Sequence, residues 1–213
     1  MDNISIIIRN KNEAEYIGFA LQSCIDFFDK PEIIVINNNS TDDSMDVVQN
    51  FNNRTKIITK NIHDYKPGQS INAGVKLCSN EYVLIMSGLT QIVNLNFQAI
   101  KKQLEKYKAV FGKQIPILRG KKITPGYIWS NFSDKREVNM FSEIENRYFL
   151  HNAFCFYKKE TLLEFPMPEK YSGKEDRYWA KEIVDKGYTF LYDPSHIAFH
   201  FWTKNGATWR GLV

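Results

Sequence analysis

Four short polar segments carry most of the side chains in this chain that could do chemistry. They are Arg9-Asn10-Lys11-Asn12-Glu13, Asn37-Asn38-Asn39-Ser40, Gly68-Gln69-Ser70-Ile71-Asn72 and Ser87-Gly88-Leu89-Thr90. The cations of the first segment suit an anionic ligand. The amides of the second can donate as well as accept hydrogen bonds. A fifth segment, Gly173-Lys174-Glu175-Asp176, sets two carboxylates side by side, and with Ser172 it has the spacing of a capping box that would stabilise a helix start. No G-x-G-x-x-G follows the first apolar run and no G-x-x-x-x-G-K-[ST] occurs, so a dinucleotide oxidoreductase or a P-loop nucleotidase is poorly supported. A bound phosphate would have to be held by something else.

The positions of these segments follow from the apolar pattern. Ile4–Ile8, Glu32–Ile36, Lys56–Thr59 and Tyr82–Met86 are short runs rich in β-branched and aromatic residues and read as buried strands. Between them lie helical patterns at 13–28, after a capping-box-like Ser40-Thr41-Asp42-Asp43, and at about 70–77 beyond the Pro67-Gly68 break. A further helix is predicted over 97–107. Alternation of this kind gives an α/β fold with a mostly parallel central sheet flanked by helices. In such sheets ligands bind beyond the carboxyl ends of the strands, where the four polar segments fall. The stretch from about Ala109 is punctuated by Gly112, Pro116, Gly120, Pro125 and Gly126 and reads as a loop region over the sheet. Its aromatics Tyr127, Trp129 and Phe132 could stack on sugar rings or pack against the sheet. Regular structure resumes at 154–157, 176–186 and 188–201.

Composition narrows the class. At 213 residues, 43% hydrophobic and 24% charged, the chain has the profile of one soluble globular domain. A net charge of +4 in dispersed lysine pairs lacks the basic stripe of a nucleic-acid binder, so no nucleic-acid partner is expected. Cys24, Cys78 and Cys155 are far apart, without metal spacing, and read as buried free thiols of a reducing compartment. No signal peptide or membrane span is apparent, so the expected location is cytoplasmic, at most at the inner face of the membrane.

The ordered set of motifs resembles glycosyltransferase family 2. Ile6-Ile7-Ile8-Arg9-Asn10-Lys11-Asn12-Glu13 looks like its first strand and turn, and Ile34–Asp43 like the segment that usually reads Val-Asp-Asp-Gly-Ser-Thr-Asp. Gly173–Ala180 resembles its Glu-Asp motif, and Gly187-Tyr188, Tyr192-Asp193-Pro194 and His200 its closing segment. Arg9, Gly112–Pro116 and Asn131–Asp134 point to a bacterial polysaccharide-type branch. The resemblance implies a GT-A nucleotide-diphospho-sugar transferase fold over 1–213, with a nucleotide-binding half (1–108) and an acceptor and catalytic half (109–213). It implies inverting transfer from a nucleotide-sugar donor (UDP-, dTDP- or CMP-sugar) to a glycan or lipid-linked acceptor, with peripheral membrane contact. The base-and-ribose pocket maps onto Arg9, Lys11, Glu13 and Asn38; Asn10, Ser40, Asn72, Ser87 and Gly88 lie on the same strand tips. Asp176 maps onto the catalytic base beside Glu175. An ordinary Asp, with a pKa of about 3.9, is ionised at neutral pH as that role requires. Asn152 resembles an acceptor-side residue; Trp129 and Trp179 join it there, although Trp179 also has core spacing. His200 stands where many relatives place a metal-ligand histidine, and Mn2+ or Mg2+ is the cofactor this leaves open.

One segment departs from the family pattern. Where an acidic, metal-binding pair is expected, the chain reads Met86-Ser87-Gly88-Leu89-Thr90. Divalent cations on a diphosphate need hard oxygen ligands, normally carboxylates. Three explanations compete: metal-independent transfer with Arg9, Lys11 or Lys76 neutralising the phosphates, a donor with a single phosphate, or a silent binding module. A nucleotidyltransferase is disfavoured for want of a glycine-rich phosphate loop.

Overall fold

The computed structural model describes residues 2–122 and 128–203. Tyr127, Pro125 and Gly126 lie outside them. β1 (Ile4–Asn10), β2 (Glu32–Asn37), β3 (Ile57–Asn61) and β4 (Tyr82–Ser87) form a parallel half-sheet in the order β3-β2-β1-β4. They alternate with α1 (Ile17–Phe27), α2 (Ser44–Asn50) and α3 (Pro67–Val75). Past β4 the chain turns into β5 (Thr90–Asn94), then α4 (Phe97–Leu104), then a long β6 (Val110–Leu118). The short strands β7 (Lys121–Lys122), β8 (Glu137–Val138), β9 (Phe141–Ser142) and β10 (Arg147–Tyr148) follow. Last come β11 (Phe154–Lys158), α5 (Lys159–Glu164), α6 (Glu175–Asp185) and β12 (Leu191–Phe201).

The expected mostly parallel sheet is therefore extended by a mixed half. β11 runs antiparallel between β4 and β6, β12 lies parallel to β6, and β5 closes the far edge antiparallel to β12. The loop region predicted from Ala109 is in its first part this central strand β6.

Strand alternation sorts the core onto the two faces of the sheet. Ile6, Ile8, Ile33, Val35, Leu84 and Met86 face α1 and α4, against Leu21, Cys24, Phe97 and Ile100. Ile7, Ile34, Ile36, Val83 and Ile85 face the opposite layer, with Ile71 of α3, Leu162 of α5 and Trp179 and Ile183 of α6. Each such side chain contributes about 1.5–3 kcal/mol by leaving water. The three cysteines are free and buried, as their apolar flanks predicted, and burial pushes the Cys78 thiol up to about 12.

Helix starts differ from the sequence reading. α1 begins at Ile17, because Glu13 carbonyl accepts from the Tyr16 and Ile17 amides in a preceding turn. Pro67 opens α3 rather than breaking the chain before it, since its fixed φ and missing N–H suit a first turn. Neither capping box forms. Ser40 lies outside α2, which begins at Ser44, and α6 starts from Lys174 in a left-handed conformation (φ 60°) without a side-chain cap.

Candidate active site

The tips of β1 and β2 are laced together by side chains. Asn10 lies opposite Asn37 in the ladder, and Asn10 Nδ2 donates to Ser40 Oγ at 3.1 Å. Ser40 Oγ donates to Asn37 Oδ1 at 2.7 Å and accepts from the Asn12 amide at 2.9 Å. Ser40 thus joins two loops instead of capping a helix. Lys11 Nζ donates to the carbonyls of Asn38 (2.7 Å) and Asn39 (2.9 Å). Its charge therefore sits at the mouth of the second loop, beside the half-buried Asn38 side chain.

Glu13 is buried just behind this rim. Its Oε1 accepts from Thr203 Oγ1 at 3.4 Å, and its Oε2 has no partner among the described residues. Burial lifts the carboxyl to about 8, against a smaller opposing pull from Thr203.

The turn after β4 holds no carboxylate. Gly88 amide donates to Arg9 carbonyl at 2.9 Å, Leu89 amide to Ser87 Oγ at 3.3 Å, and Phe201 amide to Leu89 carbonyl at 2.9 Å. Leu89 is buried where a metal ligand was expected. No group of three His, Cys, Asp or Glu residues that could hold a metal occurs among the described residues. A carboxylate-bound divalent cation does not fit this turn.

Asn72, expected on the nucleotide, does something else. Its amide donates to Met167 carbonyl and accepts from Met167 amide, both at 2.9 Å, and also donates to Glu169 Oε1 at 2.9 Å. It clamps the loop that delivers α6. Lys76 follows the last turn of α3, which returns the chain to the start of β4, so it sits at the edge of the sheet opposite the polar tips. It is not placed to neutralise a phosphate there.

The start of α6 brings the two carboxylates to the end of β1. Arg9 Nη1 pairs with Glu175 Oε1 at 3.2 Å, and Arg9 Nη2 donates to Asn152 carbonyl at 3.1 Å. Asn152 amide donates in turn to Asp176 Oδ2 at 3.1 Å. Asp176 Oδ1 accepts from the Arg177 amide, and Oδ2 also from Arg177 Nη1, each at 2.9 Å. Arg177 is anchored by Leu150 carbonyl (2.9 Å), by Glu145 Oε1 (3.3 Å) and by the face of Phe149, 4.3 Å from its ring centre. Burial, then the neighbouring Asp176, raises Glu175 to about 7. Two guanidiniums thus hold a group of three buried carboxylates that would otherwise repel one another.

Three residues expected at the acceptor are not free to meet one. Asn152 is fully buried, and Tyr157 hydroxyl donates to its Oδ1 at 2.6 Å. It connects Arg9 with Asp176 through its backbone. Trp179 is fully buried, donates to Phe165 carbonyl at 2.7 Å and meets Tyr157 edge to face, which is the core role of its helical spacing. Trp129 is buried with its ring 5.1 Å from that of His200, so it packs rather than offering a stacking platform. His200 is itself buried, and desolvation, then the charge of Arg9, lowers it to about 3.

The sequence reading missed Arg177, Glu145 and Tyr157. Arg177 lies within the Gly173–Ala180 segment and was within reach; Glu145 lies in a patternless turn, and only the fold brings it in. Two surface depressions, of about 450 Å³ beside Phe28 and Pro31 and about 390 Å³ beside Tyr171 and Tyr178, are not lined by Arg9, Lys11, Asn38 or Asp176.

The fold agrees with what the chain is similar to. The model of the family described as "Glycosyl transferase family 2" matches residues 5–164. The chain belongs to glycosyl transferase family 2. A GalNAc(5)-diNAcBac-PP-undecaprenol beta-1,3-glucosyltransferase of Campylobacter jejuni is 27% identical over 199 residues, covering 88% of this chain and 62% of the relative. Among solved structures, S. aureus TarS 1-349 in complex with UDP-GlcNAc superposes with a TM-score of 0.68 at 18% identity, covering 99% of this chain and 61% of that one. Mannosyltransferase PcManGT from Pyrobaculum calidifontis, in complex with GDP-Man and Mn2+, gives 0.70 at 16% identity, covering 98% and 59%. The chain spans about three fifths of the length of these relatives. The expected GT-A fold is the one observed.

Proposed function

We propose that this family 2 domain transfers a sugar, with inversion, from a nucleotide-sugar to a glycan or lipid-linked acceptor in polysaccharide assembly. The observation that carries this reading is the backbone of one residue, Asn152, whose carbonyl accepts from Arg9, on the strand tips, and whose amide donates to Asp176, at the start of α6. Donor-side charge and an acceptor-side carboxylate are thereby held at a fixed separation. In the reaction, the acceptor oxygen bonds to the anomeric carbon from the face opposite the nucleotide. The bond from that carbon to the phosphate oxygen breaks, and the nucleotide leaves with the electron pair. Asp176 takes the hydroxyl proton, a step for which a positioned carboxylate contributes about 10²–10⁴-fold.

Arg9 and Lys11 supply the positive charge on the donor side, and the turn Ser87-Gly88-Leu89 supplies no acidic pair. Asn38 meets the base, and its amide suits a UDP-, dTDP- or CMP-sugar. The nucleotide is held by residues 1–108 and the acceptor by 109–213. A lipid-linked acceptor, like the undecaprenol-linked glycan named for the Campylobacter relative, would place the enzyme at the cytoplasmic face of a membrane. No helix among the described residues is long and apolar enough to cross one.

Thermal-shift titration with UDP, GDP, dTDP, CDP and CMP, each with manganese and with EDTA, tests the donor side. A ligand at 100 times its dissociation constant adds about 2.7 kcal/mol of stability, which is readily detected. The reading expects one pyrimidine nucleotide to raise the melting temperature equally in EDTA. A shift seen only with manganese contradicts metal independence, and no shift with any nucleotide favours a silent module.

A further inference from the structure

Gln114, His151 and His200 form a buried chain of hydrogen bonds next to the segment that holds Asp176. All three are at least nine-tenths buried. Gln114 Nε2 lies 2.9 Å from His151 Nδ1, and Gln114 Oε1 lies 2.8 Å from His200 Nδ1. The amide of Ala153 also points at His151 Nδ1, at 3.3 Å.

That last bond fixes every proton in the chain. A backbone N–H can only donate, so His151 Nδ1 must be an acceptor and carry no hydrogen. The Gln114 atom facing it must then be the amide nitrogen, which turns the carbonyl oxygen toward His200. His200 Nδ1 must donate to that oxygen. Both rings are neutral, because burial disfavours a charged ring, as do the cations nearby, Arg177 for His151 and Arg9 for His200. The two histidines therefore hold opposite tautomers, Nε2–H in His151 and Nδ1–H in His200.

His151-Asn152-Ala153 is also the segment whose backbone binds Arg9 and Asp176. We infer that Gln114 is a positioning residue: by fixing opposite tautomers in His151 and His200 it holds this segment, and through the Asn152 amide the carboxylate of Asp176, in place. The part concerning catalysis rests on the proposed role of Asp176; the tautomers do not.

The test uses the full chain labelled with 15N in its histidines and backbone, with long-range 1H–15N spectra of the rings. The wild type is expected to show His151 protonated at Nε2 and His200 at Nδ1. In Gln114→Glu both facing atoms only accept, so the proton of His151 should move to Nδ1 and its bond from Ala153 should be lost. In Gln114→Met the Asn152 amide proton, which binds Asp176, should move upfield by several tenths of a ppm. Transfer by either variant should fall about 10- to 100-fold in kcat, the scale of a misplaced catalytic group, with the donor KM within about 2-fold. Equal tautomers in the wild type, or a Glu variant with His151 unchanged, would overturn the proposal. So would normal turnover in a variant whose tautomers have moved. If no form of the chain transfers sugar, the reading of Asp176 fails while the ring and Asn152 signals still decide the positioning.

Discussion

Arg9 and Glu175 lie 166 residues apart in sequence and 3.2 Å apart in the fold. Their pair joins the first strand to the last long helix and closes the site between them. Because Glu175 is buried and Arg9 largely so, removing one partner leaves a stranded charge, at a cost of up to about 3–5 kcal/mol. Glu175 titrates near 7, raised by burial above its ordinary value. Arg9→Met should therefore cost less below pH 7, where Glu175 can take up a proton, than at pH 8.5. Urea unfolding at both pH values, with Arg9→Met/Glu175→Gln as the rescuing double variant, checks this.

Lys11 acts on the rim rather than the core. Lys11→Ala removes a charged donor from the Asn38 and Asn39 carbonyls. Stability should change by less than about 1 kcal/mol, since the group is exposed. If Lys11 lies on the donor side as proposed, nucleotide affinity should weaken about 10-fold, the scale of one lost charge-assisted contact, as the second loop loosens. Urea unfolding of the variant gives the first quantity, and calorimetric titration with its nucleotide gives the second.

Gly68 reports on the loop before α6. A Cβ there would sit 2.3 Å from Pro168 carbonyl oxygen, a contact that backbone must move to relieve. Gly68→Ala should destabilise by about 1–3 kcal/mol, the range for overpacking. It should also lower turnover, because the displaced segment is the one that Asn72 clamps. Gly173→Ala, where an added Cβ meets nothing within 4 Å, serves as the control in the same melting and activity assays.

Glu13 makes the pH profile asymmetric. Its carboxyl stays protonated in the fold up to about 8 but ionises near 4.5 when unfolded. Its stabilising contribution is complete below about pH 4.5 and is lost as pH rises through 8. Glu13→Gln should remove that loss, raising stability at pH 8.5 by several kcal/mol relative to the parent, at about 1.4 kcal/mol per pH unit between those two values, with a much smaller difference at pH 5. Melting temperatures across pH 5–9 show whether the two curves diverge in this direction.

Much of the fold was legible because burial on both faces writes continuous apolar runs, as in β1, β2 and β4. β6 was hidden by Gly112 and Pro116, both ordinary signs of a break. In the sheet each has a reason. A side chain at Gly112 would strike the Phe154 ring and His196 carbonyl at 2.6 Å. β11 pairs with β6 only at Val110 and Phe111, so Pro116 needs no ladder partner on that side. β5 escaped notice although Thr90 and Ile92 alternate inward, because the expectation of a binding loop absorbed its first residue. At the site, motif order identified Arg9, Glu175 and Asp176, which the fold brings together. It could not reveal that the Asn72 side chain is spent on the Met167 backbone and the Asn152 side chain on the Tyr157 hydroxyl and the Met167 sulfur, since an asparagine that binds a ligand and one that packs inside the fold look alike in sequence.

The most direct test is the rate of sugar transfer by Asp176→Asn, measured beside the affinity of the same variant for the nucleotide-sugar. Arg177 keeps Glu145 as a counter-charge in this variant, so the fold should survive. The account predicts a fall in kcat of about 10²–10⁴-fold with donor affinity within about 2-fold of the parent. Transfer at the parental rate, or a loss of donor binding that accounts for the whole loss of activity, would contradict the assignment of Asp176 as the base.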